Sequence, residues 1–217
     1  MTGNFYSKIT SQYQLVTSKT FTGVLLAWEF DPDLFKLILS RAREILNASG
    51  VRYDLLQARA PDSPEKMLDQ GFNLSPKSAG NDWSHLSIGF FNKLESEEFP
   101  SILNMAKGLI PTYKMLRIST LPAPASGLDY LVIDLDAPTR EVQLKKALHS
   151  RYEDFFTSED KGFSLRPHVS ILGFKKEDMT KVKLIIPELN KLIQGKTFKP
   201  KALQLWEKLH VVKHIAI

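Results

Sequence analysis

His85-Leu86-Ser87-Ile88-Gly89-Phe90-Phe91-Asn92-Lys93 and His168-Val169-Ser170-Ile171-Leu172-Gly173-Phe174-Lys175-Lys176 are two copies of one pattern, H-[LV]-S-I-x-x-F-x-K, with the histidines 83 residues apart. A histidine followed two places on by serine is a weak signal by itself. The extended match, with isoleucine, phenylalanine and lysine recurring at fixed offsets, is far less expected by accident. Both copies are rich in strand formers, and on a strand side chains two apart share a face. His85 therefore projects with Ser87, and His168 with Ser170. Leu86, Ile88, Val169 and Ile171 fill the opposite, core-facing side.

Outward from these strands the element order repeats. Gly23 to Phe30 (GVLLAWEF) reads as a strand that ends at Asp31-Pro32, where Asp caps a helix and Pro suits its first turn. Leu34, Phe35, Ile38, Ala42, Ile45 and Leu46 give that helix its apolar stripe, and Gly50 closes it. Residues 50–81 read as a long loop or a short hairpin. The strand at 85–91, a helix near 95–108 and a strand at 113–119 complete the first half. Residues 121–127 (LPAPASG) form a turn-rich connector and the expected lobe boundary, near 121–128. The second half opens on a strand at 129–136. A helix follows from Pro138 with Leu144, Leu148, Tyr152 and Phe155 as its stripe, then a polar loop at 158–166 and the strand at 168–174. A helix at 177–193 interrupted near Pro187 and strands at 202–206 and 210–217 close the chain. The expectation is an N-terminal extension, 1–20, and a single bilobal domain, 21–217, made by internal duplication.

The 217 residues are 43% hydrophobic and 24% charged, which suits a globular core and excludes collagen-like, coiled-coil and disordered chains. The absence of cysteine excludes disulfides, thiolate catalysis and thiolate-bound metal. No apolar run approaches the roughly 18 residues of a bilayer span, so a cytoplasmic protein without a membrane partner is expected, as a monomer. Residues 161–217 carry 12 Lys+Arg against 4 Asp+Glu, a bias that would draw an anionic partner to the C-terminal part.

If the halves face each other, two imidazoles and two hydroxyls meet in one groove, and that set suits a phosphodiester. One neutral imidazole takes a proton from an attacking water or ribose hydroxyl, and the other, protonated, gives one to the leaving oxygen. The hydroxyls donate to the non-bridging oxygens as charge builds. Imidazoles with ordinary pKa values near 6.5 supply both forms around neutrality without a metal. Two histidines with no clustered third ligand do not make a zinc shell, so no metal and no cofactor is expected.

At these residues the chain resembles the two-histidine phosphoesterase superfamily, which carries one H-x-[ST] motif on a strand of each half. The resemblance covers about residues 20–217. It implies an α+β, bilobal duplicated (LigT-like) fold with two antiparallel sheets around a central groove and helices outside. It also implies His85, His168, Ser87 and Ser170 as the catalytic set, acting on RNA or oligonucleotide phosphoesters: 2′,3′-cyclic phosphates, 2′,5′-linked or cyclic oligonucleotides. Serine stands where many members have threonine, which preserves the hydroxyl. The alternative is a non-catalytic nucleotide- or RNA-end-binding module of the same fold.

Substrate-binding candidates are Phe91 and Phe174, which share strand parity with the motif residues, together with Trp83, Phe163 and Arg166. Trp206 and Lys208 are further candidates for base and phosphate contacts. Lys93 and Lys176 follow the two strands as possible phosphate contacts. For the aromatic residues core packing is the competing role. His149, His210 and His214 lack a matching motif and read as structural.

Overall fold

The computed structural model describes residues 19–51, 53–54, 85–123, 128–161, 166–207 and 210–217. The elements are β1 (Thr20–Glu29), α1 (Pro32–Ala48), β2 (Tyr53–Asp54), β3 (His85–Glu95), α2 (Phe99–Gly108), β4 (Tyr113–Ala123) and β5 (Leu128–Leu135), followed by α3 (Thr139–Arg151), β6 (Phe155–Phe156), β7 (His168–Lys175), α4 (Met179–Ile193), β8 (Thr197–Phe198), β9 (Ala202–Glu207) and β10 (His210–Ala216). Asp31 caps α1 as its sequence implies, its Oδ1 accepting from the backbone N–H of Asp33 (3.0 Å) and Leu34 (2.9 Å).

The strands form two five-stranded antiparallel sheets, ordered β10-β9-β1-β3-β6 and β8-β4-β5-β7-β2. The two orders superimpose position for position, with β1 matching β5, β3 matching β7 and β9 matching β4, which is the plan of a duplicated α+β fold. The connector near 121–128 separates the two sequence halves in this topology but not the two sheets. β4 and β5 pair with each other from Met115 to Ala123, so the connector between them joins neighbours within one sheet. Among the long strands the chain changes sheets from β3 through α2 to β4, and back again between β7 and β9, while the short strands β2 and β6 each pair in the sheet of the other half. Each half thus lends its third long strand to the other half's sheet.

The helices cross over in the same way. α1 packs with α4 against β7 and β4, while α3 packs with α2 against β3 and β6. They cover apolar faces whose side chains join a continuous core that includes Trp28, Phe35, Leu86, Ile88, Phe91, Val169, Ile171 and Phe174. Among the described residues no helix is long and apolar enough to cross a membrane.

Two helix readings change. α3 ends at Arg151, because Tyr152 is extended (φ −124°, ψ 110°), and Phe155 lies on β6, where its ring packs 5.0 Å from that of Phe91. An apolar side chain that edge strand β6 buries against β3 mimics one more turn of helical stripe. α4 runs through Pro187 without interruption, its buried face of Val182, Ile185, Leu189 and Ile193 packed on both sides of the proline.

Candidate active site

β3 and β7, each next to the edge strand of its sheet, approach each other. Along each strand the motif alternates as expected: His85, Ser87, His168 and Ser170 are partly exposed, and the residues between them are buried. A cleft between the sheets is lined by Ser87 and Gly89 of β3, by Arg166 and His168 at the start of β7, by Lys145 of α3 and by Glu159. A serine from the first motif and a histidine from the second therefore share one space.

His168 has a defined tautomer. Its Nδ1 lies 3.0 Å from the carbonyl oxygen of Arg166, and because a carbonyl only accepts, Nδ1 carries the hydrogen. Nε2 is left with a lone pair that can accept a hydrogen bond. His85 rests its ring 4.9 Å from the ring of Trp206 on β9, tilted by 47°. An acid stands across the strand pair from each histidine, Glu29 on β1 from His85 and Asp134 on β5 from His168. Asp134 is 4% exposed and binds two guanidinium groups, Arg117 Nε at 3.0 Å and Arg166 Nη2 at 3.4 Å. Arg166 is so anchored at the mouth of the cleft.

Lys145 reaches the cleft from α3 with its Nζ 2.7 Å from Glu141 Oε1. Burial holds the Glu141 carboxyl above the usual carboxylate range, and Lys145 opposes that shift. The segment carrying Ser158 and Glu159 is fastened by Asp160, whose carboxylate accepts from the backbone N–H of Thr157 (2.5 Å) and its hydroxyl (2.9 Å). Those two bonds hold Asp160 below its ordinary value.

No family model and no curated protein matches the chain. Solved structures do: Usb1 of Kluyveromyces marxianus (10% identity, TM-score 0.42), LigT of E. coli complexed with 3′-AMP (13%, 0.41) and a protein described as a phosphoesterase (13%, 0.42). Each alignment covers 91% of this chain and 98% of the other.

Of the residues expected around the two-histidine pair, Arg166 lies in the cleft and Phe91 and Phe174 do not. Both phenylalanines are 0% exposed. The register of β3 against β1 slips at Ile88, and that of β7 against β5 slips at Ile171. Each slip is a β-bulge that reverses the alternation, so the phenylalanines turn into the core instead of towards the groove. Trp206 is 3% exposed, its indole N–H given to Gln204 Oε1 at 3.1 Å, so its role is to back His85. Lys93 pairs with Glu95 at 2.8 Å in a separate depression with Arg151 and Asp154. Trp83 and Phe163, most of the 50–81 loop, part of the 158–166 loop and the side chains of Lys208, His210 and His214 lie outside the described residues. His149 approaches Asp160 at 3.5 Å, in keeping with a structural role. Lys145, Glu159 and Asp134 join the site with no motif to mark them. Glu141 and Lys145 at i, i+4 read in sequence as an ordinary exposed helix pair.

Proposed function

We propose that the protein is a metal-independent phosphodiesterase of the two-histidine type, acting on RNA-type phosphoesters through the 2′-oxygen: 2′,3′-cyclic phosphates, or 2′,5′-linked or cyclic oligonucleotides. The observation that carries this reading is the shared cleft, in which Ser87 of one motif meets His168 of the other. In hydrolysis one imidazole takes a proton from water as its oxygen bonds to phosphorus. The second imidazole gives its proton to the departing ribose oxygen as the P–O bond breaks, and the pair ends with its protonation states exchanged. Nε2 of His168 is the nitrogen suited to either part, since Nδ1 is committed to the Arg166 carbonyl. Ser87, Ser170 and Arg166 supply hydrogen bonds and charge to the non-bridging oxygens.

The test is hydrolysis in EDTA of 2′,3′-cyclic mononucleotides, 2′,5′- and 3′,5′-linked oligoadenylates and cyclic oligonucleotides by the wild type, His85→Ala and His168→Ala. The expected result is turnover that survives EDTA and falls by about 10²–10⁴-fold in each variant. Nucleotide binding with no turnover of any substrate would replace the enzyme with a binding module.

A further inference from the structure

The carboxylate of Glu141 is 1% exposed, and among the described residues the basic side chain within ion-pair distance of it is Lys145, 2.7 Å away. α3 has a sister helix, α1, which follows the strand equivalent to β5. Counted from the proline that opens each helix, Pro32 or Pro138, the buried positions coincide: Phe35, Ile38 and Ala42 against Glu141, Leu144 and Leu148. The same register sets Leu39, which is buried, against Lys145. One half of the molecule therefore fills this pair of positions with Phe35 and Leu39, and the other half fills them with a carboxylate and an ammonium.

The fold does not require the charged pair, since its twin is built without one. Taking a carboxylate out of water costs several kcal/mol, and an apolar replacement of such a pair is often neutral or stabilising. What the charged version adds is an ammonium at the cleft beside Ser87, His168 and Arg166. An ammonium has three donors. The ion pair with Glu141, Nζ 2.7 Å from Oε1, tethers the ammonium at the cleft.

We infer that Lys145 binds the substrate's phosphate through its non-bridging oxygens and that Glu141 is the positioning residue that holds the ammonium for this task. The inference rests on the phosphodiesterase reading for its substrate but not for its anion site. Because α1 offers Leu39 at the corresponding place, the ammonium of Lys145 has no counterpart on α1 among the described residues. The phosphate then has one preferred orientation, and His85 and His168 are not interchangeable. Glu159 also lines the cleft and is exposed, so it competes with the phosphate for Lys145 when the site is empty.

The experiment compares wild type, Lys145→Met, Lys145→Arg and Glu141→Gln in kcat and KM on whichever substrate of the EDTA panel is turned over, in calorimetric binding of inorganic phosphate and in thermal melting. Lys145→Met is expected to lose about 10²-fold in kcat/KM and at least tenfold in phosphate affinity, and to melt below wild type because Glu141 is left buried without its partner. Lys145→Arg restores phosphate binding and part of the rate. Glu141→Gln loses about tenfold in kcat and keeps most of the phosphate affinity. Should Glu141→Gln fail to fold, the Lys145 variants decide the matter. A Lys145→Met enzyme within twofold of wild type in both readouts overturns the inference and leaves the phosphodiesterase reading intact. A wild type that binds phosphate through Lys145 yet turns over nothing in the panel overturns that reading and keeps the anion site. Absence of both binding and turnover in the wild type overturns both.

Discussion

Ile88 and Ile171 occupy the same place in two strands: each is the residue at which the ladder slips, one position after the serine of its motif. Before the slip, alternation sends histidine and serine to the groove. Beyond it the phase reverses and a phenylalanine enters the core. The bulge lets one strand serve an open site and a closed interior within seven residues.

Phe91→Ala and Phe174→Ala consequently test packing and not recognition. Each is expected to cost about 3–5 kcal/mol in denaturant unfolding, with KM unchanged in protein that remains folded. A raised KM with unaltered stability would return these rings to the substrate site.

The tautomer of His168 is directly observable. Long-range proton–nitrogen NMR correlations of neutral His168 are expected to show the hydrogen on Nδ1, held by the Arg166 carbonyl at 3.0 Å, and none on Nε2. A hydrogen on Nε2 in the neutral ring would contradict the geometry.

Glu141 makes stability depend on pH. Burial raises its folded-state pKa above the ordinary 4.5, so the folded chain holds this proton more tightly than the unfolded chain does. That contribution is present in full below about 4.5 and is lost as pH rises through the raised folded value. Denaturation midpoints measured through this window should fall less steeply for Glu141→Gln than for wild type. Equal slopes would mean that the carboxyl titrates normally.

Gly89 has no room for a side chain. A Cβ there would lie 2.5 Å from Cζ of Phe155 and 2.8 Å from the backbone oxygen of Phe156, so β6 would have to move off β3. Gly89→Ala should lower stability by about 1–3 kcal/mol and, because Gly89 also lines the cleft, reduce kcat. Normal melting and normal turnover would show that β6 yields without cost.

Several features are legible along the chain itself. Asp31-Pro32 announces the start of α1, because a side-chain cap and a fixed φ act within four residues. The H-x-S alternation likewise announces which side chains leave the core, since strand geometry alone dictates it. The bulges are not legible. Nothing in Ser87-Ile88-Gly89 or Ser170-Ile171-Leu172 distinguishes a slipped ladder from a regular one, because the slip belongs to the partner strand as much as to the isoleucine. The end of α3 escapes the sequence pattern for a related reason: Phe155 fits the helical stripe but is claimed by β3.

The duplication, the two histidine–serine pairs and the face each pair takes are written in the chain, because they follow from spacing along it and from backbone geometry within a few residues. Packing between distant segments is what makes each half lend a strand and a helix to the other, turns Phe91 and Phe174 into core and brings Lys145 and its partner Glu141 to the cleft. Those outcomes depend on which distant segments pack together, and burial of apolar area sets that choice with no regard for order along the chain.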